Sequence, residues 1–327
     1  MNILVTGGAG YIGSHTVHAL LSQKPTSNII VVDNFSTGHL AALPKAIDFY
    51  HLDIQNQAEL ERLMQKKRID AVIHFAASSQ VGESIIKPLD YYENNLSGTL
   101  SLLNAMVNSG VKHLVFSSTA AVYGNPKSQP ITEDADTVPE NPYGATKLAM
   151  EQMIHWAGKA HGINHVALRY FNAAGAHPSG DIGEAHHPET HLIPLVLQVA
   201  SGKREKISIF GDDYPTKDGT AVRDYIHVLD LAVAHILALD YLINGGESVH
   251  LNLGNGVGFT VKEVIETARR VTKHPIPAEI TARRAGDPAI LIASSEKARE
   301  ILGWHPQHAD LSRIIADAWR WHSDEKF

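Results

Sequence analysis

Short runs of consecutive apolar residues punctuate the first half of the chain, and longer stretches with helical spacing separate them. Such runs occur at Ile3–Val5, Ile29–Val32, just before Asp53, and at Ala71–Phe75, His113–Phe116 and His165–Leu168. Short uninterrupted apolar runs fit buried strands, and strands alternating with amphipathic helices predict a parallel, doubly wound α/β sheet. Ligands of such sheets lie beyond the carboxyl ends of the strands. Phe75–Ser79, Ser117–Thr119 and Tyr170–Asn172 follow three of those ends.

The rhythm loosens after Asn172. Residues 173–190 are rich in turn formers and histidine and read as a loop into a smaller, mixed α/β C-terminal lobe. Strand signals at Ile207–Phe210, Val249–Leu253 and Ala278–Ala282 mix there with helical spacing at Val261–Thr272 and Asp310–Trp319. The expected division is residues 1–175 and 176–327. The boundary is soft, because residues 224–253 suit either lobe.

The first strand ends in Gly7-Gly8-Ala9-Gly10-Tyr11-Ile12-Gly13, which contains both G-x-G-x-x-G and G-x-x-G-x-x-G. Glycines between a strand and a helix let the backbone approach a pyrophosphate at the helix N-terminus, which makes the sheet Rossmann-type. Twenty residues after Gly13 the second run ends at Asp33. An acid there accepts from a ribose and repels a 2′-phosphate, so NAD is expected over NADP. Asp53, after the third run, is placed to meet the adenine.

Tyr143 and Lys147 lie four residues apart behind Asn141 and Pro142, a helix cap and a first-turn residue, and so share one helix face. Ionising a tyrosine near neutral pH takes a shift of roughly three units, about 4 kcal/mol. An ammonium about 6 Å away at an effective dielectric near 20 supplies roughly 2.8 kcal/mol, about two units. The positive charge of an oxidised nicotinamide supplies the remainder.

Composition narrows the class. With 327 residues, 44% of them hydrophobic, the chain supports a large core with an appended lobe. A net charge of −7 argues against a nucleic-acid surface. The absence of cysteine excludes disulfides, thiolate catalysis and cysteine-bound zinc. The N-terminus enters the first strand without a basic leader, and no apolar run reaches the roughly 20 residues that span a bilayer, so a cytoplasmic enzyme with no membrane partner is expected.

Further motifs carry a family resemblance: Val81-Gly82-Glu83-Ser84, Ser117 to Gly124, Tyr170-Phe171-Asn172, Gly175 to Gly180 and Gly219 to Val228. With the glycine loop and the Tyr143/Lys147 pair, they make the chain resemble, over its whole length, the UDP-glucose 4-epimerases of the extended short-chain dehydrogenase/reductase family. That resemblance implies an isomerase that interconverts UDP-galactose and UDP-glucose with retained NAD. Thr119, Tyr143 and Lys147 would be catalytic.

It implies cofactor contacts at Gly7, Gly10, Tyr11, Ile12 and Gly13, at Asp33, Asn34, Phe35, Ser36, Thr37 and Gly38, and at Asp53 and Ile54. Phe75, Ala76, Ala77, Ser79, Asn94, Ser117, Tyr143, Lys147, Tyr170 and Phe171 complete that set. It implies substrate contacts at Thr119, Tyr143, Asn172, His191 and Leu192, with Ser208, Phe210 and Tyr225 around uridine, Arg223 and Arg284 on phosphate, and Asp287 on a ribose hydroxyl. Leu291 would face the sugar's 2-substituent. Ser79 stands where many bacterial relatives have lysine, Thr119 replaces a frequent serine, and His191 a frequent asparagine. Leu291 is intermediate between a tight tyrosine and smaller residues that admit N-acetylhexosamines.

Other readings differ at named positions. A nucleotide-sugar 4,6-dehydratase needs an acid pair after the hydroxyl residue, where this chain has Ala120 and Ala121. Other NAD-dependent nucleotide-sugar epimerases and a non-catalytic dinucleotide sensor remain the alternatives. His177, His186, His187 and His191 lack regular ligand spacing, so no metal is expected. Helical stretches at Asp90–Ser109 and Tyr143–Ala157, with apolar Leu148, Met150, Met153, Ile154 and Ala157, resemble those that pair across the family's homodimer.

Overall fold

A computed structural model describes residues 1–284 and 287–327. The strands are β1 (Asn2–Thr6), β2 (Asn28–Asp33), β3 (Asp48–His51), β4 (Ala71–His74), β5 (His113–Ser117), β6 (Asn164–Tyr170), β7 (Asn172–Ala174), β8 (Ile207–Phe210), β9 (Val222–His227), β10 (Val249–Leu253), β11 (Gly258–Thr260), β12 (Ala278–Thr281) and β13 (Ile290–Leu291). The helices are α1 (Tyr11–Gln23), α2 (Gln57–Lys67), α3 (Val81–Ile86), α4 (Pro88–Tyr92), α5 (Gly98–Ser109), α6 (Pro142–His161), α7 (Leu192–Ala200), α8 (Val228–Ile243), α9 (Val261–Thr272), α10 (Glu296–Leu302) and α11 (Leu311–His322).

Seven parallel strands form the main sheet in the order β3-β2-β1-β4-β5-β6-β10. Side chains alternate across it, so Ile3, Val5, Val31 and Ile73 enter a core beneath α1 and α8, whereas Leu4, Ile30, Val72 and Phe116 enter a second core with α2, α5 and α6. Burial on both faces is why these strands read as continuous apolar runs. Although α8 and β10 follow β9 of the second lobe, α8 packs on α1 and β10 extends the main sheet beside β6.

The second lobe packs α7, α9 and α11 around Ile193, Val196, Ile209, Val264 and Ile314. β9 pairs with β7, β11 and β13, and β8 pairs with β12. Among the described residues no helix is long and apolar enough to cross a membrane.

The Asp90–Ser109 stretch is not one regular helix, because residues Glu93–Ser97 form a π-helical turn between α4 and α5. That turn lets the buried Asn95 side chain accept from Ser78 N at 2.8 Å and donate to Thr146 Oγ1 at 3.0 Å, tying the loop after β4 to α6. The apolar spacing on α6 has a second outcome. Met150 and Ile154 are fully buried within this chain, so they offer nothing to a partner, while Trp156 is 70% exposed.

Candidate active site

The glycine loop separates packing from ligand approach. Gly7 has φ +72°, and a Cβ there would lie 2.5 Å from Ala76 N; one on Gly13 would lie 2.2 Å from Gly7 O. Among the described residues, a Cβ on Gly10 would meet nothing closer than 3.4 Å. Gly10 caps α1 with its backbone alone, where a bare surface serves a pyrophosphate brought close to the helix start. Ile12 and Tyr11 open α1, and the Tyr11 hydroxyl donates to Gly175 O at 2.6 Å, binding this loop to the entry of the second lobe.

Asp33 closes β2, largely buried. Its carboxylate accepts from Ala9 N at 2.9 Å and Phe35 N at 2.8 Å. Burial raises its pKa, and the bonds from Phe35 and Ala9 work against that rise. Asn34 donates to Asp53 at 2.9 Å, Gly38 lies against Ala9 and Asp33, and Ser36 and Thr37 are exposed beyond them. Ile54 packs under Gly98. Phe75, Ala76 and Ala77 follow β4 at the same sheet end, and Asn94 donates to Ser78 Oγ at 3.1 Å. Ser79 is exposed. Loop, acid and bare Gly10 together fit a dinucleotide.

The proposed catalytic groups meet at the carboxyl end of β5. Asn141 caps α6 by accepting from Gly144 N at 2.9 Å, and this sets the first turn, which carries Tyr143. Lys147 Nζ, buried one turn on, donates to Ser117 O at 2.9 Å and lies 5.0 Å from the centre of the Phe116 ring. Burial lowers Lys147 to about 7, against the pull of Glu151. Burial raises Tyr143, and a hydrogen bond with Thr119 opposes it. Within the protein, burial thus holds Tyr143 above its ordinary value, and the charge still to be supplied falls, as expected from the four-residue spacing, to the oxidised nicotinamide. Lys147 directs its amine at the β5 carbonyl of Ser117. Ser117 Oγ and the Tyr170 hydroxyl hydrogen-bond beside it.

Behind these groups lies a buried network that was not singled out from the sequence. Glu151, one turn beyond Lys147, accepts from Arg169 at 2.9 and 2.6 Å and from Ser118 Oγ at 2.5 Å. Arg169 also donates to the Tyr123 hydroxyl at 3.0 Å, which donates to Asn252 at 2.7 Å. The signal was present: an acid between Met150 and Ile154 and an arginine ending an apolar run are charges at core positions, and buried charges need partners.

Several of the positions expected to meet substrate lie on or beside β9. Asn172 faces Tyr225 in the β7–β9 register and donates to Asp224 O at 3.0 Å. Leu291 faces Arg223 in the β13–β9 register. Arg223 forms an ion pair with Asp287, so the two are each other's partner. Tyr225 is buried in the second-lobe core. Ser208 and Phe210 lie on β8, and the Arg284 guanidinium lies 3.9 Å from the centre of the Phe210 ring. Phe171 and Leu291 both pack on the Ala120–Tyr123 turn that follows Thr119, joining the two groups. His191 precedes Leu192, the first residue of α7, and meets Glu184, His186 and Glu189, although the histidines of this loop have no regular spacing in the chain.

The NAD dependent epimerase/dehydratase family matches residues 3–254. The chain is 59% identical over 324 residues to a UDP-glucose 4-epimerase of Halalkalibacterium halodurans, covering 99% of this chain and 96% of that protein. A UDP-glucose 4-epimerase from Brucella ovis in complex with NAD superposes with a TM-score of 0.96 at 46% identity, covering 98% of both chains. The enzyme from Bifidobacterium longum in complex with NAD+ and UDP superposes with a TM-score of 0.93 at 41% identity, covering 99% of both. A sheet of this order, with these residues at its carboxyl end and relatives matched over nearly the full length, has one consequence: the chain belongs to the NAD dependent epimerase/dehydratase family.

Proposed function

We propose that this chain is an NAD-dependent UDP-hexose 4-epimerase, which interconverts UDP-galactose and UDP-glucose through a transient 4-keto sugar. The observation that carries this reading is the meeting of Thr119, Tyr143 and Lys147 beside Ser117, at the sheet end that also holds the glycine loop. The names of the relatives and the ligands in their structures support it.

Bound NAD supplies a reversible acceptor for the hydrogen and electron pair at sugar C4, and its positive ring adds the charge that Tyr143 lacks within the protein. Tyr143, as phenolate, takes the proton of the 4-hydroxyl, and Thr119 holds that oxygen and relays the proton. Lys147 bonds the nicotinamide ribose. The ketose then turns its other face while UDP stays anchored, and Tyr143 returns the proton after the hydrogen arrives on the opposite side of C4. Atoms and electrons balance, so no cofactor is consumed.

Anchoring falls to Arg223 and Arg284 on the diphosphate, to Asn172, His191 and Leu192 along the sugar phosphate, and to Ser208, Phe210, Tyr225 and Asp287 around uridine. An arginine's planar fork suits phosphate oxygens, and Arg223 reaches them by exchanging Asp287 for the diphosphate. Leu291 sets the space beside the 2-substituent and leaves room for partial acceptance of UDP-N-acetylglucosamine. Ile86, Leu89 and Trp156, respectively 81%, 78% and 70% exposed on α3, α4 and α6, offer an apolar face for a homodimer.

The test is to incubate purified protein with UDP-galactose, without added NAD, and separate the products by anion exchange. UDP-glucose is the expected product. No conversion, even with NAD added, would overturn the assignment. Sedimentation of the wild type and Trp156→Glu tests the dimer, which the substitution should dissociate.

A further inference from the structure

Eight residues of the loop before α7 bring together two carboxylates and two imidazoles that the proposed reaction does not use as a set. We propose that Glu184, His186, Glu189 and His191 form a binding site for a divalent transition cation of the zinc class.

Ligand identity, spacing, supporting contacts and access all bear on this. Imidazole nitrogen with carboxylate oxygen is a donor set that zinc accepts, and two carboxylates balance its charge. Donors about 2.1 Å from a tetrahedral zinc stand roughly 3.4 Å from one another. His186 Nδ1 lies 3.2 Å from Glu184 Oε1 and 3.8 Å from Glu189 Oε2, and His191 Nδ1 lies 3.6 Å from Glu189 Oε1. The contact of His191 Nδ1 with Glu184 Oε1 is instead a 2.5 Å hydrogen bond that must open by about 0.9 Å for a cation to enter. All four donor atoms lie within 4.8 Å of one another.

His186 Nδ1 is buried and, among the described residues, has no well-directed hydrogen-bond partner, although it faces both carboxylates. The neighbouring backbone holds the donors in place: Glu189 accepts from Thr190 N at 2.6 Å and His191 N at 2.8 Å, and Trp321 Nε1 donates to Glu184 O at 3.0 Å. Outer contacts of this kind orient ligands before the metal arrives. A cleft of about 230 Å³, whose lining includes Glu184, His186, Glu189, Lys203 and His322, adjoins the cluster.

A cation here would pin the loop between the glycine-loop side, where Tyr11 meets His186 edge-on at 6.4 Å, and the first turn of α7. It would also fix the His191 ring through Nδ1 and leave Nε2 for the sugar phosphate. That last consequence rests on the proposed function; the binding does not.

The experiment uses the full chain, stripped with EDTA and dialysed against zinc chloride, with bound metal measured by mass spectrometry and affinity by calorimetry. His187→Asn, a change in an exposed neighbour outside the cluster, is the control for scattered histidine binding. The expected result is one tightly held zinc per chain in the wild type and the control, with affinity reduced about 30-fold or more in His186→Ala and Glu184→Gln. Cobalt substitution should give tetrahedral d–d absorption that His186→Ala lacks, a readout independent of thermal stability. A wild type that retains no zinc, or zinc held equally well by a folded His186→Ala, would overturn the proposal.

Discussion

At the carboxyl end of β5, Ser118, Glu151, Arg169 and Tyr123 are joined by buried hydrogen bonds that leave the Thr119, Tyr143 and Lys147 positions little freedom. Along β9, by contrast, Arg223 and Asp287 neutralise each other at side-chain exposures of 14% and 28%. The first region is finished before substrate arrives, and the second holds its charges in reserve. That division suits a reaction that needs a fixed proton site and a nucleotide anchor able to load and unload, around a sugar that must turn between them.

The contrast can be broken at several points. Tyr143→Phe removes the proton acceptor from the finished region and should lower turnover by about 10²- to 10⁴-fold while retaining NAD, as measured by product formation and cofactor content. In the glycine loop, Gly13→Ala puts a methyl into backbone and should cost several kcal/mol in chemical denaturation, whereas Gly10→Ala should keep its denaturation midpoint and lose NAD. Equal midpoints in the two variants would contradict this separation of packing from approach.

Glu151→Ala leaves Arg169 buried without its carboxylate, at a cost of about 3–5 kcal/mol. Buried histidines elsewhere in the main-sheet lobe also contribute to acid sensitivity. Burial lowers His15 and His74 to about 3, and His165 and His235 to about 4. The unfolded chain binds protons at these sites near pH 6.5 and the folded chain does not. Their neutral forms therefore stabilise fully above pH 6.5, and stability falls as pH drops through the window toward 3–4. At pH 5 the loss is about 2 kcal/mol per histidine. Melting temperature should decline from pH 6.5 to 5, less steeply in His235→Leu.

The smallest effect belongs to the reserve region. Asp287→Asn frees Arg223 and leaves a neutral amide oxygen to accept from the ribose, so KM for UDP-galactose should change by no more than about tenfold with kcat nearly unchanged. A collapse of kcat would place Asp287 in the finished region instead.

Much of this division was legible in the chain. The apolar runs mark β1, β2, β4, β5 and β6 because both faces of that sheet are covered, and the Asn141-Pro142 start of α6 is a local signal. The π-helical turn at Glu93–Ser97 was hidden, because its cause is long-range: Asn95 reaches Ser78 and Thr146 from segments distant in the chain. The pairing of Arg223 with Asp287, across 64 residues, and the gathering of Glu184, His186, Glu189 and His191 depend likewise on how loops fold back. The four-residue spacing of Tyr143 and Lys147 was plain, but the energetic outcome was not, since spacing says nothing of how deeply Lys147 is buried or that it bonds the Ser117 carbonyl.

The measurement that bears most directly on the account uses UDP-galactose deuterated at C4. Removing and returning that hydrogen within one site predicts UDP-glucose that retains deuterium at C4, formed by the wild type and lost with Tyr143→Phe. Product in which C4 carries hydrogen from water would contradict it, because the hydrogen would then have left as a proton to solvent.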